Sequence, residues 1–137
     1  MDYLKRKYMD AGLLWMRVLM GLGIMTHGYP KIFGGKMEGF TNVTADLGFP
    51  LPGFFAWLAA LTELLGGLLL AVGAGTRIVA LLLFGTMLVA AFMGHGGDPF
   101  NEKEMALLYL TFAGTLMLTG PGKFSIDSIA ERKLASK

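Results

Sequence analysis

Two long runs of the chain contain no Asp, Glu, Lys or Arg: 20 residues from Ile78 to Gly97 and 18 from Met105 to Gly122. Crossing about 30 Å of hydrocarbon at about 1.5 Å of rise per residue takes about 20 apolar residues, so each run is long enough for a transmembrane helix. Two further runs qualify with one charge apiece. Ala11 to Thr26 holds only Arg17, and Gly53 to Ala74 holds only Glu63. The pattern predicts helices over 9–28, 53–74, 76–95 and 102–120, an outer loop over 29–52 and a tail over 121–137. A chain of 137 residues cannot hide four segments that are apolar all round from water. Lipid must cover them, and the expected fold is a single all-α domain, a membrane-embedded four-helix bundle.

Orientation follows from the basic residues. Lys5, Arg6, Lys7, Arg77, Lys123, Arg132, Lys133 and Lys137 lie on one side of the expected spans, and only Lys31, Lys36 and Lys103 on the other. Both termini of the multi-pass chain are therefore expected in the cytoplasm. Lys5 to Lys7 resemble the start of a secretory signal. Yet the apolar run after them is long, carries Arg17 and ends without a small-x-small cleavage site, so a retained span is expected.

Composition narrows the chemistry. With 54% apolar and 16% charged residues the chain is too apolar for disorder. With no cysteine it can build no disulfide, zinc–thiolate site, iron–sulfur ligation or covalent haem attachment. A net charge of +2 gives no reason to expect nucleic acid.

Local chemistry marks the boundaries. Gly73-Ala74-Gly75 stops the second helix, Thr76 is a candidate N-cap of the third, Asn101 and Glu104 have near capping-box spacing, and Gly120-Pro121-Gly122 ends the fourth. In the outer loop Met37, Phe40, Val43 and Leu47 share one helical face, with Gly48 and Pro50 as a stop. A short amphipathic helix is expected there, either covering the mouth of the bundle or forming a folded loop. His27-Gly28-Tyr29-Pro30 and His95-Gly96-Gly97-Asp98-Pro99 hint at two related helical hairpins.

Ionisable residues inside a bilayer are costly and usually face inward in pairs. If His27 and Gly53 are the outer ends of the first two helices, Arg17 and Glu63 each lie ten residues below, about 15 Å deep and near the midplane. Ala56, Ala59, Ala60, Gly66, Gly67 and Ala74 share the face of Glu63, and Gly21 and Gly28 lie near that of Arg17. Small residues line helix contacts in membranes. An Arg17–Glu63 ion pair is therefore expected in the core, either fixing helix register or forming a polar centre. A second cluster, His27, His95 and Glu104, is expected near the outer surface, with Thr111 and Thr115 continuing a polar stripe inward from Glu104. These residues either anchor and cap helix ends or handle protons and a quinol head group, because imidazole exchanges protons near neutral pH. Their spacing matches no metal motif, and bis-histidine haem needs facing histidines at equal depth, so neither metal nor haem is expected. Trp15, Trp57, Tyr3, Tyr8 and Tyr29 suit interfacial belts.

The order Arg17, His27-Gly28 with Lys31, Glu63-Leu64-Leu65-Gly66-Gly67, Thr76-Arg77, His95, Glu104 and Gly120-Pro121-Gly122 resembles the DoxX family of small bacterial and archaeal membrane proteins. The resemblance covers about residues 10–128, and E-x-x-G-G followed by a short turn and T-R is its most specific part. It implies a four-helix inner-membrane protein linked to respiratory redox chemistry, since founding members are similar to subunits of a terminal quinol oxidase and of thiosulfate:quinone oxidoreductase. It marks Arg17, His27, Lys31, Glu63, Arg77, His95 and Glu104 as the positions to watch, with Lys31 and Arg77 as candidate ligand-binding cations.

Three functions stay open. The first is a quinone-interacting subunit working with a partner oxidoreductase that handles the electrons. The second is a non-catalytic membrane anchor or assembly scaffold. The third is a small transporter or channel, which gains room if the chain forms a homo-oligomer. No residue pattern names a cofactor beyond quinone.

Overall fold

The computed structural model describes residues 2–137, and every regular element among them is helical. Six helices follow in order: α1 Tyr3–Ile32, α2 Met37–Asp46, α3 Pro52–Val72, α4 Thr76–Gly94, α5 Phe100–Thr119 and α6 Ile126–Ala135. Three of them, α1, α3 and α4, are long and apolar enough to cross a membrane. α5 has the length, at 20 residues, but Glu102, Lys103 and Glu104 crowd its start. Side chains of α1, α3, α4 and α5 share a core that includes Ile24, Leu70, Leu83 and Leu116. Trp15, Leu19, Leu22, Leu65, Leu68, Ile78, Leu81 and Leu118 are exposed. That is the inside-out pattern of a molecule solvated by lipid rather than water.

Glycines set how α1 meets α3. A Cβ on Gly21 would lie 2.6 Å from the Gly67 carbonyl oxygen, and one on Gly28 would lie 2.6 Å from the Leu64 nitrogen and 2.9 Å from the Glu63 Cβ. The two backbones touch at both places, which only a residue without a side chain permits. The antiparallel register is thereby fixed. Gly28 sits at the level of Glu63, Gly21 at the level of Gly67 and Ala71, and Arg17 beside Gly73.

This register overturns the expected Arg17–Glu63 pair. Arg17 lies against Gly73, ten residues further along α3 than Glu63, about 15 Å away along the axis. The expected register took His27-Gly28 as a helix end. Gly28 is instead a packing glycine inside α1, and the helix runs on through Pro30 to Ile32. Pro30, inside the last turn, removes one rung of the ladder, and the helix still continues past it to Ile32. Glu63 pairs with Lys31, a residue beyond the expected end of the helix.

Arg17 closes the proximal end of the molecule, the end that holds the α3–α4 turn and the tail. Its side chain is fully buried and donates to the Phe124 carbonyl. Gly73 and Gly75, both in the left-handed region at φ 75° and 59°, turn the chain from α3 into α4. Asp127 then caps α4 from across the fold: its carboxylate accepts the backbone N–H groups of Gly75 at 2.7 Å and Thr76 at 2.8 Å. Its own N–H donates to the Gly73 carbonyl at 2.9 Å. Thr76, the expected N-cap, is the first helical residue, and the capping oxygen comes from α6. Ser125 caps α6 itself, its hydroxyl accepting from the Ser128 N–H. At the start of α5 Pro99 occupies the N-cap position, so Asn101 and Glu104 form no capping box.

Two measurements test the register and the cap. Gly28→Ala should lower thermal stability in detergent by about 1–3 kcal/mol, the usual range for overpacking, whereas Gly12→Ala, with nothing within 4 Å of an added Cβ, should leave it unchanged or raise it by up to about 1 kcal/mol. Equal effects would contradict the contact. Burial pushes the Asp127 carboxyl up, but the Thr76 and Gly75 N–H bonds and the nearby Arg17 charge outweigh it and hold the carboxyl below its ordinary 3.8. A depressed carboxylate stabilises the fold above the unfolded-state value and loses that contribution as pH falls through the folded-state value. Wild type should therefore exceed Asp127→Ala by about 0.5–2 kcal/mol at pH 7, and the gap should shrink as pH is lowered below 3.8. A gap independent of pH down to acid unfolding would sink the charged cap.

Candidate functional site

The opposite, distal end gathers the remaining polar residues. Lys31 in the last turn of α1 donates to the Glu63 carboxylate at 2.6 Å. Glu63 is buried and Lys31 half-buried. A carboxylate this deep needs a cation on it, and the short, charge-assisted contact supplies one. The Phe40 ring of α2 covers the ammonium with its centroid 4.0 Å from Nζ, a cation–π contact. Glu63 itself sits in a π turn, Thr62–Gly66, that interrupts α3. A second π turn, Ala90–Gly94, ends α4 just before His95. Single π turns inside α-helices occur disproportionately at functional sites, because the inserted residue re-aims the side chains around it.

The ion pair stands between two cavities. The larger, about 580 Å³, is walled by Phe40, Val43 and Leu47 from the α2 region, Phe55, Leu58 and Ala59 from α3, and Leu81, Leu82, Gly85, Thr86 and Val89 from α4. Leu58, Leu81, Leu82 and Gly85 are exposed, so its side wall opens on surface that lipid covers. The smaller, about 290 Å³, is more polar and is lined by His27, Glu102, Tyr109, Met87 and Met105 among others. Lys31, Glu63, Ala90 and His95 line both. The pair is thus a polar partition with an apolar chamber on one side and a more polar chamber on the other.

His27 stacks edge-on against Tyr109, ring centroids 5.7 Å apart. Tyr109 is buried, and its hydroxyl lies over Gly23. His95 is half-buried and bonds Asp98 through Nδ1 at 2.8 Å. When Nδ1 carries the proton it donates to that carboxylate, which leaves Nε2 free to accept.

The structure brings together Glu63, Lys31, His27 and His95 of the residues singled out from sequence. It separates three others. Arg17 is at the proximal end. Arg77 is exposed there too, its guanidinium near Gly120. Glu104 is exposed and lines neither cavity. Glu102 takes the place expected of Glu104, since Glu102, Met105, Ala106 and Tyr109 follow i, i+3, i+4, i+7 spacing along one face of α5. The Thr111 and Thr115 hydroxyls donate back to the carbonyls of Leu107 and Thr111, so they form no inward polar path. Sequence reasoning misses Tyr109, Glu102 and Asp98; the i+7 relation of Glu102 and Tyr109 is the signal that could have found the first two. Among the described residues no group of three or more acidic or histidine side chains is arranged to hold a metal ion.

The DoxX family matches residues 12–96. The chain is 36% identical to the Escherichia coli protein named "Inner membrane protein YqjF" over 93% of its own length and 98% of that protein's. It is 34% identical to "Putative oxidoreductase CatD" of Bacillus subtilis, over 88% of each chain. It is 30% identical to "Inner membrane protein YphA" of Escherichia coli, over 88% of its own length and 96% of that protein's. No solved structure matches. With three helices fit to cross a bilayer and this family match, the chain is an integral protein of the prokaryotic cytoplasmic membrane and belongs to the DoxX family.

Proposed function

We propose that this chain is a four-helix membrane subunit that binds a quinone or quinol at the Lys31–Glu63 partition and works with a partner oxidoreductase. The observation that carries the reading is the position of that pair: a buried, charge-assisted contact exposed on one side to an apolar chamber of about 580 Å³ and on the other to His27, His95, Glu102 and Tyr109. Small-molecule sites are mostly apolar cavities of about 300–1,000 Å³ with a few convergent polar groups. The chamber suits a ring with a hydrocarbon tail, and its open side meets lipid, where such molecules dissolve.

α5 is the fourth span on this reading. The 15 residues from Met105 to Thr119 carry no charge, and the charged first turn rests at the interface. The basic residues of the proximal end support a cytoplasmic placement of both termini, and with it a site that faces outward.

The residues have distinct roles. Lys31 donates a hydrogen bond to a ring oxygen. Glu63, ionised beside Lys31, accepts a proton from a quinol hydroxyl on the apolar side and passes it to the polar side. His27, held by Tyr109, and His95, oriented by Asp98, exchange it with water. Oxidation of one quinol releases two protons, which leave one after the other through Glu63, and two electrons. The chain has no cysteine to ligate an iron–sulfur cluster, so the electrons pass to the partner, and the name of the Bacillus relative as an oxidoreductase is in keeping with that.

Three measurements test the proposal. Short-chain ubiquinone and menaquinone analogues should raise the unfolding temperature of the purified protein in nanodiscs, and Glu63→Gln should weaken binding about tenfold, equivalent to about 1.4 kcal/mol. Absence of stabilisation by either class would leave the scaffold reading in its place. Gly85→Leu should fill the apolar chamber, since nothing lies within 4 Å of an added Cβ there. It should abolish the quinone shift without lowering the stability of the ligand-free protein. Finally, Glu63→Ala or Lys31→Ala alone should destabilise by up to about 3–5 kcal/mol, the range for orphaning a buried charge, while Lys31→Met with Glu63→Gln should recover much of the loss yet bind no quinone. A double variant that binds normally would show the pair to be structural only.

A further inference from the structure

α6 carries an unpartnered apolar stripe. Ile126, Ile129, Ala130 and Leu134 follow i, i+3, i+4, i+8 spacing on one face. No residue of α6 is buried, and Ile126, Ile129 and Leu134 are 52%, 48% and 72% exposed. Water is a poor neighbour for three branched aliphatic side chains on a single ten-residue helix.

Height and charge identify what covers them. Asp127 accepts the N–H groups of Gly75 and Thr76, the start of α4, and the Phe124 carbonyl just before α6 accepts from Arg17. Because α4 begins at Thr76, these bonds hold the start of α6 at the level where a membrane-crossing helix enters the bilayer. The charges around the stripe are one-sided. Arg132 flanks the stripe, the exposed Lys133 falls within its arc, and Lys123 and Lys137 are exposed beyond the two ends of the helix, while of the two acids Asp127 is spent on the α4 cap and only Glu131 faces out. A helix with an apolar face, basic flanks and low overall hydrophobicity lies in the interfacial plane, and each basic residue near an anionic surface adds attraction.

We propose that α6 is a membrane-docking helix that lays Ile126, Ile129 and Leu134 into the proximal leaflet and holds anionic phospholipid head groups with Lys123, Arg132, Lys133 and Lys137. The interface comprises the stripe and these four cations, independent of the distal site. Asp127 and Arg17 act as its hinge pins, since they tie the helix to the transmembrane part whatever the lipid.

The absence of native cysteines makes the test clean. The full-length protein carrying Ile129→Cys is labelled with a nitroxide and placed in nanodiscs of zwitterionic phosphatidylcholine, or of phosphatidylcholine with phosphatidylglycerol. Collision rates with oxygen, which concentrates in lipid, are compared with those of a water-soluble nickel chelate. The oxygen-to-nickel ratio should rise severalfold on adding phosphatidylglycerol. That rise should disappear when Lys123, Arg132, Lys133 and Lys137 are all replaced by Gln and should fall in high salt. Far-ultraviolet circular dichroism and the unfolding temperature of the Gln variant check that the fold is intact. A ratio that stays low in both lipids would overturn the proposal, as would a high ratio indifferent to lipid charge. Dipolar broadening between labels would overturn it too, because a second copy of the chain would then cover the stripe.

Discussion

The contact of α1 with α3 at Gly21 and Gly28 governs where every buried charge in the molecule ends up. Two backbones in touch can slide only if both glycine sites are vacated together, so the register admits little compromise. That register sets Lys31 against Glu63 at one end and Arg17 beneath the Gly73–Gly75 turn at the other. Each charge then meets a partner at its own level, although the buried Nε and Nη1 of Arg17 are left without one. Glu63 takes an ammonium, and Arg17 takes a backbone carbonyl with Asp127 close by. One packing device therefore places both polar centres, which explains why a chain this apolar can retain them.

The two ends solve the problem of a buried charge differently. At the proximal end the groups are locked: carbonyl, N–H and carboxylate each accept or donate within a cross-link of three chain segments, around residues 17, 73–76 and 124–127. At the distal end the pair is short but bordered by space on both sides. A locked arrangement suits a joint. A pair flanked by cavities suits exchange, because an incoming polar group can replace one partner without unfolding anything.

The helical fold is legible in the sequence because bilayer thickness imposes a length that charge-free runs reveal directly. The small-residue face of α3 around Glu63 is legible for the same reason that it packs. The pairing is not. A glycine after a histidine reads as a helix end, yet Gly28 is the point of closest approach, and that one reading displaces the whole register by about 15 Å. A capping pattern favours Glu104 over Glu102 in the sequence, and the Pro99 N-cap replaces it in the fold. Tyr109 is invisible because an aromatic in an apolar run is ordinarily filling, and only its contact with His27 distinguishes it. The π turns at Thr62–Gly66 and Ala90–Gly94 carry no local sequence mark, so the re-aiming of Glu63 and the approach to His95 become visible only in three dimensions.

The exposed side wall of the larger cavity, formed by Leu58, Leu81, Leu82 and Gly85, would change what concentration means for a ligand of this protein. A molecule that arrives through it is dissolved in hydrocarbon, and its activity is set by mole fraction in the bilayer, not by molarity in the surrounding solution. Occupancy would then respond to how much lipid shares the solute and to how strongly the solute partitions. Swelling the membrane at fixed ligand would empty the chamber as surely as dilution empties a water-facing one.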